Sequence, residues 1–240
     1  MKNRFRSWLI GLSVLATLLF QGFDYPTKGN ELTADDILRN LQSAFAKIED
    51  YTVLLHVETD IKQVRVPQME IKVFFKQPDK LHLQSKGFAM LPREGMLINP
   101  NRFRKEDFYM SILGKETFKD METFKLELVP RKEKIKVRKV IIWVDPVKWI
   151  SLKIDTITWH GQSIKIDFEY RKFLDRYWLP VKAKAFVDLS GFKGFSSFHE
   201  RSGWEKGSGT GFMDKKGEIT VQFYDYRINE GIPDSIFDQE

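Results

Sequence analysis

Four histidines, His56, His82, His160 and His199, are the first residues to weigh for chemistry in this 240-residue chain. An imidazole binds metal or moves protons only with partners at fixed spacing. These four are scattered along the sequence. His56 and His82 fall on neighbouring strand patterns without a carboxylate at ligand spacing. No Gly-x-Ser-x-Gly elbow is present to raise a nucleophile above a sheet. The glycine run "GSGTG" (Gly207 to Gly211) lacks the Lys-Ser/Thr of a phosphate loop. The chain has no cysteine, which removes disulfides, thiolate metal sites and a thiol nucleophile. Its carboxylates mostly alternate with lysines, the pattern of cross-strand ion pairs and not of an acid and base in a dry pocket. These residue types predict no catalytic centre, no metal and no cofactor.

The cationic cluster "RKEKIKVRK" (Arg131 to Lys139) remains. As a strand it puts Lys134, Lys136 and Arg138 on one face. That face is either a solvated edge guarded by its lysines against strand pairing, or a contact for anionic headgroups or an acidic partner. Formal net charge is +6, and Lys2, Arg4 and Arg6 carry half of it. The +3 left on the rest of the chain is too mild for a nucleic-acid footprint.

The elements that must position any site begin after residue 22. Residues 1–22 pair a basic start with an apolar run from Trp8 to Phe20. This is the make-up of an export signal, and too short for a comfortable membrane span. No clear cleavage motif follows, so the segment is read as a signal peptide or an N-terminal anchor. Residues 23–31 read as a linker, and 32–240 as one domain. "TADDILRNLQSAFAKI" predicts an amphipathic helix capped by Thr33, with Ile37, Leu41, Ala44, Phe45 and Ile48 on one face. The period then falls to two. "YTVLLHVETDI", "MEIKVFFK", "KLHLQS", "FKLELV", "VIIWV", "WISLKIDTITW", "SIKIDFEYR", "PVKAKAFVD" and "EITVQFYDYRI" each alternate apolar and polar residues. Within "IIWVDPVKWISLKID", Asp145 and Pro146 set a hairpin turn with Trp143 and Trp149 at its rims.

Nine or more strands in series with few helices between them predict an antiparallel meander that curls into an incompletely closed half-barrel. The helix would pack on the concave side. Two segments break the pattern. "NRFRKEDFYMSILG" (Asn101 to Gly114) places Phe108, Ile112 and Leu113 at near-helical spacing before a glycine and reads as a second, short helix. Leu189 to Gly217 holds seven of the fifteen glycines together with Phe192, Phe195, Phe198, Trp204 and Phe212. It reads either as a flexible aromatic flap or as a long hairpin with a loose tip.

In order, the pieces resemble the LolA family of outer-membrane lipoprotein sorting. The resemblance runs from about Leu32 to Gln239. It rests on the leading helix, "VFFKQPDKLHLQ", the "LELVP … IIWVDP" spacing, "RYWLP", and the closing "N-x-G-I-P-D-x-x-F" of Asn229 to Phe237. It implies an unclosed antiparallel barrel under a helical lid, enclosing an apolar cavity for acyl chains of a lipoprotein or lipid. It implies membrane-bound donor and acceptor proteins, a periplasmic location, a chaperone-like role and a monomer. Related domains of the family act as envelope-stress sensors, which gives the alternative reading of a regulatory lipid-binding module. On the alternating faces, the cavity candidates are Leu55, Val57, Val73, Phe75, Leu83, Leu126, Leu128, Ile142, Val144, Leu152, Ile154, Ile166 and Phe168. The lid candidates are Phe45, Phe108 and Ile112. Arg65 stands near the place of the family's lid-latching arginine, and the loop 189–217 looks like an insertion. A 16-carbon acyl chain carries on the order of 12 kcal/mol of gross penalty in water, at about 0.8 kcal/mol per methylene. Carrying it needs a dry cavity and no covalent chemistry.

Overall fold

The computed structural model describes residues 32–61, 68–85, 99–132, 135, 137–159, 163–188 and 216–238. The expected signal segment, Arg65, His160, His199, Lys134, Lys136 and the loop up to residue 215 lie outside these residues. Lys216 and Gly217, the last two of that loop, already belong to a strand. Among the described residues, no helix is long and apolar enough to cross a membrane.

One α-helix, α1 (Ala34–Phe45), precedes ten strands: β1 (Asp50–Ile61), β2 (Met69–Lys76), β3 (Lys80–Ser85), β4 (Phe108–Phe118), β5 (Met121–Pro130), β6 (Val137–Val144), β7 (Ser151–Thr158), β8 (Ser163–Phe173), β9 (Tyr177–Asp188) and β10 (Lys216–Ile228). They form one antiparallel sheet in the order β3-β2-β1-β10-β9-β8-β7-β6-β5-β4. The order is a simple meander except at one place. The last strand inserts between β1 and β9, pairing Leu55 with Phe223 on one side and Val221 with Ala183 on the other. Strands β3 and β4 are the two edges, so the sheet does not close into a barrel.

Alternation decides which face is dry. Val53, Leu55 and Val57 of β1, Val73 and Phe75 of β2, Leu126 and Leu128 of β5, Ile142 and Val144 of β6, and Ile166 and Phe168 of β8 share one hydrophobic cluster. The polar positions between them pair across strands on the other face. Lys184 meets Glu218 at 2.7 Å, Lys125 meets Glu116 at 2.7 Å and Lys139 meets Glu127 at 2.9 Å. Trp143 falls on this outer face. The ammonium groups of Lys125 and Lys153, its neighbours across the strands, sit 4.9 and 4.7 Å from its ring, which covers a large apolar surface without burying it inward.

α1 starts where Thr33 and Asp36 exchange hydrogen bonds. Asp36 N donates to Thr33 Oγ1 at 3.2 Å, and Thr33 N donates to Asp36 Oδ2 at 3.0 Å. The Thr33 hydroxyl, donating to Asp36 Oδ2 at 2.6 Å, with the Thr33 N–H and Arg39, holds the Asp36 carboxyl below the usual range. Ile37, Leu38, Leu41 and Phe45 are buried in the same cluster as the sheet residues. Gln42 ties the helix to the following turn by donating to Phe103 O at 3.1 Å.

The expected second helix is absent. Between Asn101 and Gly114 the chain has only the end of a 3-10 turn at Pro100–Arg102, and from Phe108 onward it is strand β4. Phe108, Met110 and Ile112 alternate and pair with Pro130, Leu128 and Leu126. Gly114 is not a helix cap. It sits at φ +129° where the pairing register slips after Ile112, a bulge that only glycine accepts without strain. The slip shifts the alternation by one residue and makes a bent strand imitate helical spacing.

The C-terminal motif that carries the family resemblance is a structural clasp. Asn229, at φ +56°, accepts from Glu49 N at 2.8 Å and donates to Tyr177 Oη at 3.1 Å. Gly231, at φ +83°, donates its N–H to the buried Asp50 carboxylate at 3.2 Å. Lys76 and Asp234 close the end at 2.7 Å.

Asp145 organises the β6–β7 turn. Its Oδ1 accepts from Val147 N at 2.8 Å and Lys148 N at 2.9 Å, and its Oδ2 lies 3.1 Å from Lys148 Nζ. Burial raises its pKa, but these hydrogen bonds and the ammonium outweigh it, and the carboxyl titrates below its ordinary value. A depressed folded pKa gives stability that is present above the unfolded value, about 4, and lost as pH falls through the folded one. Asp145→Asn is therefore expected to be less stable than the parent at neutral pH and to flatten the acid limb below about pH 4. Denaturant melts across pH would check this; an unchanged acid limb would remove Asp145 from the account.

Candidate functional site

The feature that stands out is a hollow in the dry face of the sheet, with a cavity volume of about 90 Å³. Its walls come from β1, β2, β8, β9 and β10, with Leu81 of β3. The cause lies in β9. In "VKAKAFVD" the inward residues are Ala183 and Ala185, whereas their neighbours across the strands are Phe168 and Val221, and Ile166 and Ile219. Two methyl groups stand where the rest of the sheet places branched or aromatic side chains. A close-packed interior leaves few voids of this size, and this one is lined by both strands that flank the alanines.

Of the sequence candidates, Leu55, Val73, Phe75, Ile166 and Phe168 line the hollow. Leu126, Leu128, Ile142, Val144, Ile154 and Val57 are fully buried in the cluster and do not line it, although Val57 and Ile154 pair with the lining residues Val221 and Ile166. Leu83 is half-buried on edge strand β3, and Leu152 is buried on β7. Phe45 packs its ring 5.3 Å from Phe75, and Phe108 packs 5.9 Å from Phe103 beside the Pro100–Arg102 turn. Ile112 is half-buried on β4. Sequence reasoning missed Ala183, Ala185 and Val187 as wall residues, although their inward phase was legible. It took inward-facing size as the mark of a cavity, whereas the absence of size makes one.

One end of the hollow is polar. Asp79, Asn99 and Arg102 line it. Asn99 is buried and spent: it donates to Pro78 O at 2.9 Å and accepts from Asn101 N at 3.0 Å. Asp79 and Arg102 are exposed. Rings pack beside this end, since Tyr51 pairs with Phe75 and Phe75 pairs with Leu81, two residues from Asp79. Tyr51 stacks on Phe75 at 5.0 Å, Tyr226 meets Tyr51 edge-on at 5.8 Å, and Phe168 lies 6.1 Å from Tyr170. Burial pushes the Tyr51, Tyr170 and Tyr226 phenols well above their ordinary value, so they stay neutral. Tyr170 and Tyr226 spend their hydroxyls on Ser151 O at 3.0 Å and Pro180 O at 2.9 Å. The wall is dry and uncharged.

Titratable groups elsewhere are scattered over the outer face. His56 lies 3.2 Å from Glu58, a carboxylate two residues along the strand that the spacing argument passed over, and His82 packs beside Phe74. Among the described residues no three such side chains gather at metal-binding distance. In the basic run, Arg131 lies over the Tyr109 ring at 3.9 Å and donates to Phe108 O, while Lys132 pairs with Asp107 at 2.7 Å. These cations brace the start of β4.

No family model matches the sequence, and no curated protein matches it either. Solved structures do. A DUF1329 family protein from Desulfovibrio piger superposes with a TM-score of 0.60 at 12% identity, over 85% of this chain and 95% of that one. A putative outer-membrane lipoprotein-sorting protein domain from Vibrio parahaemolyticus gives 0.55 at 14%, over 86% and 97%. A LolA superfamily protein from Nitrosomonas europaea gives 0.52 at 14%, over 86% and 98%. At these identities the likeness is one of fold: the chain has the fold of these LolA-type and DUF1329 proteins.

Proposed function

We propose that this protein is an extracytoplasmic carrier that takes the acyl chain of a lipid or lipoprotein into the hollow beside β9. The observation that carries the reading is the pair Ala183 and Ala185, which leaves a dry, uncharged space with one polar end. An amphiphile fits that arrangement: tail against the alanines, head towards Asp79 and Arg102. The shared fold with a lipoprotein-sorting domain supports the reading, as does the export-like start of the sequence. Transfer towards the outer membrane through membrane-bound donor and acceptor proteins, by a monomer in the periplasm, completes it.

Size makes the reading quantitative. A hollow of bounded size takes up tail methylenes only until its walls are met. Fatty acids of increasing length should gain affinity by up to about fourfold per methylene, from about 0.8 kcal/mol each, and the gain should flatten once the hollow is full. Displacement of a fluorescent fatty acid by such a series measures this, together with mass spectrometry of lipid that co-purifies with the full chain. No co-purifying lipid and no saturable fatty-acid binding would overturn the proposal.

A further inference from the structure

A second cavity, of about 80 Å³, lies at the end of the sheet where α1 finishes. Its character differs from the first. Lys47, Lys148 and Arg176 line it with Trp149 and Trp178, and no carboxylate does. Lys148 is partly satisfied, by Asp145 beneath it and by the Trp178 ring 5.0 Å away. Lys47 has no side-chain partner among the described residues, and Arg176 has only the ring of Tyr177, at 5.4 Å. Trp149 is held at φ +53°, a left-handed conformation that a bulky residue adopts only when its surroundings enforce it. Its N–H donates to Asp145 O at 3.0 Å and its ring stacks on Phe124.

The same end carries two apolar tips in solvent. β6 and β8 run the same way, both antiparallel to β7, so their following turns lie at one end of the sheet. Val147 on the first turn is 82% exposed and Leu174 on the second is 74% exposed, more than any other large hydrophobic among the described residues. Nothing in the packing of the sheet requires an aliphatic residue at either tip. Protruding aliphatics, tryptophans set behind them and a cluster of cations, of which only Lys148 has a carboxylate partner, are what a bilayer surface selects: chains insert, indoles sit at headgroup depth and ammonium and guanidinium groups meet anionic lipids. Asp120 and Asp175 stand on the tips of this end, outside the cavity wall.

We propose that this end of the sheet docks onto an anionic lipid bilayer, with Val147 and Leu174 entering the interface and Lys47, Lys148 and Arg176 holding headgroups. The linings of this cavity and of the acyl hollow share no residue, so either can fail without the other. The full chain has no cysteine, which makes Val147→Cys, Leu174→Cys and, at the opposite end, Trp159→Cys unique labelling sites. Each variant, carrying an environment-sensitive fluorophore, is mixed with vesicles of phosphatidylcholine alone or mixed with phosphatidylglycerol. The apolar N-terminal segment is common to all three, so position decides. Expected is a blue shift at 147 and 174 with the anionic vesicles, reversed by salt, and none at 159. Replacing Lys47 and Arg176 together by Gln should weaken vesicle binding roughly thirtyfold, from about 1 kcal/mol per cation. Equal shifts on neutral vesicles, a shift at 159 matching the others, or no shift at any site would overturn docking. A concentration-dependent shift without vesicles would overturn it in favour of a second copy of this chain.

Discussion

Ala185→Phe is expected to abolish acyl-chain binding while the fold stands. Ala185 faces the hollow between Ile166 on β8 and Ile219 on β10. The added phenyl ring is comparable in size to the hollow of about 90 Å³. It therefore takes the place of a ligand. In a filled core the same change would overpack, at a typical cost of 1–3 kcal/mol. Here the ring enters space that is already empty, and its burial offsets what strain arises. Affinity for a fluorescent fatty acid should fall by more than tenfold, while the thermal midpoint stays within a few degrees. Unchanged affinity in the folded variant would move the site away from β9. A large fall in the midpoint would mean that the space is not there to be filled.

How much of this was legible in the chain can be seen in single strands. "SIKIDFEYR" states its own face: Ile166 and Phe168 go in, Lys165 and Asp167 go out, and each does so. The C-terminal Asn-x-Gly-Ile-Pro-Asp was legible as a motif, and its work as a clasp follows from the two positive φ angles at Asn229 and Gly231. β4 was misread because its bulge at Gly114 breaks a period of two. The hollow was harder still. Its position depends on β10 inserting between β1 and β9, which brings Ala183 opposite both Phe168 and Val221. It also depends on the slip beside Tyr170, where Val181 is left unpaired and the phase of β9 resets. Neither register is written in local alternation, since each is settled by strands far apart in sequence. The same limit explains Leu126 and Ile142. Their pattern is that of cavity residues, but their partners across the strands are large, so they fill space instead of bounding it.

That distinction predicts opposite outcomes for two truncations that the sequence would treat alike. Leu126 is fully buried between Ile112 and Ile142, where nothing can relax into a gap. Leu126→Ala should cost about 3 kcal/mol, within the 2–5 kcal/mol of such changes. For a domain of this size the midpoint should fall by roughly 6–12 °C. Acyl affinity of the folded fraction should stay within about twofold, because the lost methyls face no ligand. Phe168 bounds the hollow, with its ring against Tyr170 and Ala183 across the strand. Phe168→Ala also destabilises, since a phenyl ring leaves a buried place. The vacated volume joins the hollow, though, instead of becoming a sealed cavity. The chain-length series should then keep gaining affinity for several methylenes beyond the parent's plateau. A fatty-acid series on both variants, read beside their melts, separates the two roles. If Leu126→Ala lengthens the preferred chain as Phe168→Ala does, the tail runs under β5 and the hollow beside β9 is only its entrance.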